Sequence, residues 1–318
     1  MTPHVGLGQT AAKIILFGEH SVVYGHPAIA LPLRSLRMRA TVEPVRENDA
    51  PSTLTALGWS GALSDAPSHF ASIQRAAAVA TEFVGAPEAR LALTTESEFP
   101  AQRGLGSSAA AAGAVIRAVL DAYDASATPE EIFDLTQEAE KVAHGRPSGL
   151  DAVATSATAP VHFQAGRTTQ LDLTLNAWIV IADSGIQGST RETVAQVRRQ
   201  YDEFFEATNE RLVRLGEITT EALDDLREGR VERLGAKMTE SHALLSALGV
   251  SNDRLDALVS AALGAGALGG KLTGGGGGGC VIALARTRQD AQLVEAAMRD
   301  AGADATWSHA PSSEEVAA

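Results

Sequence analysis

Glu140 and Asp151 lie on either side of the short segment Gly145-Arg146-Pro147-Ser148-Gly149. Two carboxylates joined in this way can converge on one site, one as a metal ligand and the other as a proton acceptor. Each also has a plainer reading. Asp151 follows a Pro-Ser-Gly-Leu turn, a place where an acid commonly caps a helix. Glu140 falls on the apolar side of a helical wheel formed by Ile132, Leu135, Ala139, Val142 and Ala143, with Phe133 at its edge. A carboxylate aimed inward there needs a cation, a metal or hydrogen bonds. A residue at the edge of the stripe would instead bend toward solvent.

The second grouping is Arg103-Gly104-Leu105-Gly106-Ser107-Ser108, followed by Ala109 to Ala112. The alternation Leu91, Leu93, Thr95, Ser97, Phe99 before it predicts a strand. The alanine-rich run after it, to about Asp121, predicts a helix. Glycines and hydroxyls at a strand-to-helix turn offer backbone N–H groups and a positive dipole end, which suits a phosphate. A tight turn with a Ser cap has the same composition. Gly104, Gly106 and Ala109 also fit G-x-G-x-x-A, with Asp121 and Asp124 near the place of a ribose-binding acid; that dinucleotide match is weak by itself. No Gly-Lys-Ser/Thr follows the glycines, so the loop is not of the Walker A type.

Lys13, Glu19 and His20 form a third grouping around the apolar run Ile14-Ile15-Leu16-Phe17 and Gly18. The fourth is Lys271-Leu272-Thr273, then Gly274 to Gly279, then Cys280. A run of glycines can be a flexible linker. Between a Lys-Leu-Thr segment and an apolar strand, close backbone approach to a ligand or another loop is the better reading.

The elements that must position these groups alternate in type. Lys13–Phe17, Leu36–Val45 and Trp178–Ala182 read as strands, and 48–68 as a loop or insertion. Phe70–Val84 reads as a helix. Thr128-Pro129-Glu130-Glu131 is a helix start with a capping box, and that helix should run to about Ala143. Helical segments follow near 190–215, 219–227, 231–248 and 252–263. The C-terminal pattern is glycine-rich turn, strand 280–285, helix 289–301, strand 306–310, with a disordered tail over 312–318. The chain of 318 residues divides into two expected domains, 1–165 and 175–311. A net charge of −13 disfavours nucleic acid or an anionic membrane as the main partner. The single cysteine, Cys280, excludes an internal disulfide, no secretory signal is evident, and a cytoplasmic location is the default reading.

Together the four groupings resemble the GHMP kinase superfamily of small-molecule kinases. Three motifs occur in its order, over Lys13–Gly25, Pro100–Ala110 and Lys271–Cys280. Lys13-Ile-Ile-Leu-Phe-Gly-Glu-His-Ser-Val-Val-Tyr-Gly25 and Glu140-Lys-Val-Ala-His-Gly-Arg-Pro-Ser-Gly-Leu-Asp151 are most similar to its mevalonate kinase branch, as is Asp183-Ser-Gly-Ile-Gln-Gly-Ser-Thr-Arg-Glu192. Two places depart from the pattern: Gln102-Arg103, where small residues are usual, and Gln187-Gly188, where a basic or bulkier residue is expected.

The resemblance implies an α+β, two-domain GHMP kinase fold. Its N-terminal domain would be ribosomal protein S5 domain 2-like, and its C-terminal domain a ferredoxin-like α/β sandwich. It implies ATP-dependent phosphorylation of the mevalonate C5 hydroxyl, with phosphomevalonate kinase or a GHMP kinase for another acceptor as the alternative. Arg103, Gly104, Leu105, Gly106, Ser107, Ser108 and Ala109 would bind ATP. Ser108 and Glu140 would hold Mg²⁺, and Asp151 would accept the hydroxyl proton. Lys13 would stabilise that carboxylate and the charge on the transferring phosphoryl. Glu19, His20 and Thr190 would contact mevalonate. Cys280 would be structural, or merely beside the glycines. A homodimer is implied. A dinucleotide oxidoreductase explains neither the second glycine run nor the Glu140/Asp151 pair, and a nucleotide sensor would lack the base or the lysine.

Overall fold

The alternation Gly6, Gly8, Thr10 along the first strand places its smallest residues on one face, and that face is covered by the alanine-rich helix. In the computed structural model, which describes residues 3–45, 50–144, 147–172 and 175–310, β1 spans Gly6–Phe17 and α2 spans Ser107–Ala122. A Cβ on Gly6 would lie 2.0 Å from the Ala118 carbonyl oxygen, and one on Gly8 would lie 2.0 Å from that of Ala114. Thr10 donates its hydroxyl to the Ala110 carbonyl at 2.7 Å. Small residues on both partners therefore let strand and helix touch backbone to backbone. That contact aims the N-terminus of α2.

The chain divides into two units: Met1–Lys13, Pro32–Ala101 and Gly106–Thr158 in one, Ile14–Leu31, Gln102–Leu105 and Ala159–Ala318 in the other. In the first, β2 (Ala28–Pro44) pairs antiparallel with β5 (Leu91–Ser97) through Met38–Pro44, and β5 pairs parallel with β3 (Thr53–Ala56). The expectation of a loop over 48–68 is corrected here. Residues 48 and 49 lie outside the described residues, but β3 and β4 (Trp59–Ala62) form a hairpin turning at Leu57-Gly58. Only Leu54 and Ala56 of β3 face the core, so its Ser/Thr/Ala composition hid the alternation. Helices α1 (Ala71–Phe83), α2, α3 (Pro129–His144) and α4 (Leu150–Ser156) complete this unit. The capping box at Thr128 forms as expected: Thr128 N–H donates to Glu131 at 2.7 Å and Glu131 N–H to Thr128 Oγ1 at 3.2 Å. One member of the expected apolar stripe is misplaced, since Val142 is exposed.

In the second unit, β6 (Val161–Gln164) and β7 (Arg167–Gln170) form a hairpin joined to Ala28–Ala30 of β2. The remainder is β8 (Trp178–Asp183), α5 (Thr190–Glu203), α6 (Phe205–Arg227), α7 (Val231–Ala247), α8 (Asp253–Gly264), β9 (Gly269–Thr273), β10 (Cys280–Ala285), α9 (Arg288–Asp300) and β11 (Ala305–His309). Its antiparallel sheet has the order β11-β8-β10-β9, the split β-α-β pattern of a ferredoxin-like domain. One boundary differs from expectation. The break between α5 and α6 falls at Phe204 rather than near Gly216, because Gly216 is a packing site: a Cβ there would lie 2.6 Å from the His26 ring. Lys271-Leu272-Thr273, to which the sequence reading gives no element, belongs to a fully buried strand, β9. The expected disordered tail, 312–318, lies outside the described residues.

Candidate functional site

In the first unit Lys13 is 1 % exposed, with its ammonium 2.9 Å from Asp151 Oδ1. Asp151 is the second residue of α4, whose N-cap is Gly149. The two side chains differ in exposure: 2 % for the lysine and 45 % for the aspartate. A buried cation therefore steadies a carboxylate that remains open to a reactant.

The Arg103–Ser108 turn is built as the sequence suggests, with one difference. Gly106, not a serine, occupies the N-cap of α2, and no side chain caps the first turn. Gly106 has φ 76°, and a Cβ on it would lie 2.9 Å from Thr155 Cγ2 and 3.0 Å from Lys13 Cγ. The glycine is thus required by the lysine's own stem, as well as by the turn. Ser108 Oγ lies 2.6 Å from Glu140 Oε1 and 2.9 Å from Ser72 Oγ. Glu140 is 2 % exposed, so the inward reading of its wheel position holds. A carboxylate and a hydroxyl this close form an oxygen donor pair suited to a hard divalent cation. Among the described residues no group of three or more His, Cys, Asp or Glu gathers as a metal cluster.

The second unit collects the other candidates. His20 (φ 59°, buried) donates its Nε2–H to the Gly275 carbonyl at 2.8 Å, and burial pushes its pKa below the usual imidazole value. Thr190, exposed at the start of α5, lies against the same glycine: a Cβ on Gly275 would be 2.7 Å from Thr190 Oγ1. Glu19 is 1 % exposed and paired with Lys271, itself 0 % exposed, whose ammonium also donates to the Leu272 carbonyl at 2.8 Å. Thr273 donates to the Ile15 carbonyl at 3.0 Å and accepts from the Ile15 N–H at 2.9 Å, fastening β9 to β1.

The glycine run is closely packed rather than a free linker. A Cβ on Gly276 would meet the Val250 oxygen at 2.1 Å, one on Gly278 the Ile186 oxygen at 2.7 Å, and one on Gly279 the Arg103 oxygen at 2.7 Å. The departure at Gly188 has the same cause, since a Cβ there would lie 2.9 Å from the Gly276 oxygen. The departure at Arg103 is an ion pair: its Nε lies 2.9 Å from Asp183 Oδ1, and its Nη2 donates to the Gly185 carbonyl at 3.2 Å. Cys280 is buried and, as the single cysteine of the chain, forms no internal disulfide. The two acids that made the dinucleotide reading possible sit elsewhere: Asp121 accepts the Leu7 N–H at 2.8 Å, and Asp124 lies 4.0 Å from His4.

Residues 71–159 match the GHMP kinases N terminal domain, and 222–304 match GHMP kinases C terminal. A mevalonate kinase of Thermococcus gammatolerans is 38% identical over 303 residues, covering 89% of this chain and 90% of the relative. The chain belongs to the mevalonate kinase family of GHMP kinases. Among solved structures, mevalonate kinase from Staphylococcus aureus MRSA252 is similar at 30% identity and TM-score 0.75, covering 98% of this chain and 100% of that one. The L. major mevalonate kinase in complex with R-mevalonate shares the fold, with TM-score 0.81 at 24% identity and 98% of each chain covered.

As a mevalonate kinase family member, the chain is an ATP-dependent kinase acting on an alcohol. Several residues beside the candidates escaped sequence reasoning. Ser72, in α1, has no motif around it. Lys271 could have been paired with Glu19 only by knowing that both are buried. Asp183 lay in a recognised segment, but nothing in its spacing pointed to Arg103.

Proposed function

We propose that this chain transfers the γ-phosphoryl group of ATP to the C5 hydroxyl of mevalonate, giving 5-phosphomevalonate and ADP. The observation that carries the reading is the Lys13–Asp151 pair, a buried cation holding a half-exposed carboxylate in the same unit as the Ser108–Glu140 pair. Asp151 orients the hydroxyl and accepts its proton as the oxygen attacks phosphorus. The bond to the β–γ bridging oxygen breaks, and its electron pair leaves with ADP. Lys13 offsets the charge on the transferring group and on Asp151. No covalent enzyme intermediate is needed.

The turn Arg103, Gly104, Leu105, Gly106, Ser107, Ser108, Ala109 is our proposed triphosphate site, through backbone N–H groups at the start of α2. The Arg103 side chain, engaged by Asp183, would act by shaping the turn. Ser108 and Glu140 are the proposed Mg²⁺ ligands; the ion would neutralise triphosphate charge, with phosphate oxygens and water completing its shell. His20 and Thr190, both against Gly275, are the proposed mevalonate contacts. Glu19 belongs to the same proposed pocket, held there by Lys271. In this reading 1–165 supplies ATP, metal and catalysis, and 175–311 the acceptor side. The reading includes a homodimer acting in the cytoplasm; among the described residues no helix is long and apolar enough to cross a membrane.

A coupled ADP-release assay with ATP, Mg²⁺ and a panel of mevalonate, phosphomevalonate, galactose and homoserine tests the acceptor. Turnover with mevalonate at least a hundred times that with each other acceptor is the expected result. Preference for phosphomevalonate would overturn the acceptor assignment. Size-exclusion chromatography with light scattering tests the dimer.

A further inference from the structure

Ser72 is the second residue of α1 and is 3 % exposed; among the described residues its hydroxyl partners Ser108, 2.9 Å away. Ser108 has a single hydroxyl hydrogen and two acceptors in reach, Ser72 Oγ and Glu140 Oε1. It can serve one of them at a time. In the structure the Ser108 hydroxyl is placed to donate to either oxygen, and the carboxylate, at 2.6 Å, is the stronger acceptor.

A cation held by both Ser108 and Glu140 changes this. Each oxygen then directs a lone pair at the same ion, and a hydrogen cannot remain on the line between them. Among the described residues, Ser72 Oγ is the acceptor left at hydrogen-bonding distance. We propose that Ser72 is a positioning residue for the Mg²⁺ site: it takes the Ser108 hydrogen when the metal binds and fixes the Ser108 side chain in its ligating orientation. Hydrogen-bond partners behind metal ligands commonly change affinity by about ten- to a hundred-fold. The inference rests on Ser108 and Glu140 being the metal pair.

The test uses the full chain without acceptor, so that no turnover occurs. Affinity for a fluorescent ATP analogue is titrated with and without Mg²⁺ for wild type, Ser72→Ala, Ser72→Thr and Glu140→Gln, with thermal melts alongside. The expected result is that Ser72→Ala weakens Mg²⁺ binding about ten-fold, leaves metal-free nucleotide affinity unchanged, and is largely rescued in Ser72→Thr. Unchanged Mg²⁺ dependence in Ser72→Ala, with or without a lowered Tm, beside a weakened Glu140→Gln, overturns the role of Ser72 alone. Unchanged Mg²⁺ dependence in both overturns the metal pair and the inference with it.

Discussion

Lys13 and Asp151 meet at 2.9 Å with opposite relations to solvent: the ammonium is sealed in the protein, and the carboxylate is nearly half exposed. That asymmetry fixes the direction of the pair. The lysine is the buried member, and the aspartate is the one a reactant can reach.

Asp151→Asn keeps the shape but removes the proton acceptor. We expect kcat to fall by about a thousand-fold or more, at the upper end of what general-base and electrostatic terms contribute. ATP affinity should change far less. Lys13→Met should lower kcat comparably while keeping the stem that packs on Gly106. Steady-state kinetics with equilibrium nucleotide binding checks both, and near-wild-type turnover by Asp151→Asn would sink the assignment.

Gly106→Ala tests whether the turn is set by the lysine stem. The added methyl meets Thr155 and Lys13 at a backbone φ of 76°. We expect a stability loss above the roughly 1–2 kcal/mol of left-handed strain alone, together with a raised KM for ATP. Gly25→Ala is the control, because φ is 89° there but nothing lies within 4 Å. Equal Tm losses in the two variants would remove the steric argument.

Glu19→Gln should destabilise the fold by about 3–5 kcal/mol, the usual cost of leaving one member of a buried ion pair alone. Replacing both Glu19 and Lys271 by Met should be markedly milder. Urea unfolding reads this directly. The double variant also separates two roles. A raised KM for mevalonate in a stably folded double variant assigns Glu19 to the acceptor; an unchanged KM assigns it to the scaffold.

Burial lowers the folded-state pKa of His20, and also that of His242. The unfolded chain then binds more protons than the folded one between the depressed value and the ordinary value near 6.5. Stability is therefore full above about pH 6.5 and is lost as pH falls through the folded pKa. His20→Asn, whose side chain tolerates the left-handed backbone, should flatten this decline. Denaturation midpoints from pH 7.5 to 5 test it, and an unaltered slope would count against His20.

Much of this was legible in the chain because the signals were local. The capping box at Thr128, the inward wheel position of Glu140 and the crowding implied by Gly274–Gly279 each follow from residues close in sequence. The β3–β4 hairpin was not, because Thr, Ser and Ala carry weak alternation. Nor were the partners of Glu19 and Arg103: Lys271 lies 252 residues from Glu19 and Asp183 lies 80 from Arg103, separations that no local spacing encodes. Ser72 is the extreme case, an ordinary helix serine until α1 and α2 pack.

Gly188 against Gly276, and Gly278 against Ile186 and Gln187, leave no room for a side chain on either strip of backbone. Neither strip can diversify by itself, since a substitution on one requires a matching retreat on the other. Variation along this stretch must therefore enter through neighbours that still have space. Gln187 and Thr190, exposed at the rim of the interlock, are the positions where a directed-evolution library would have latitude.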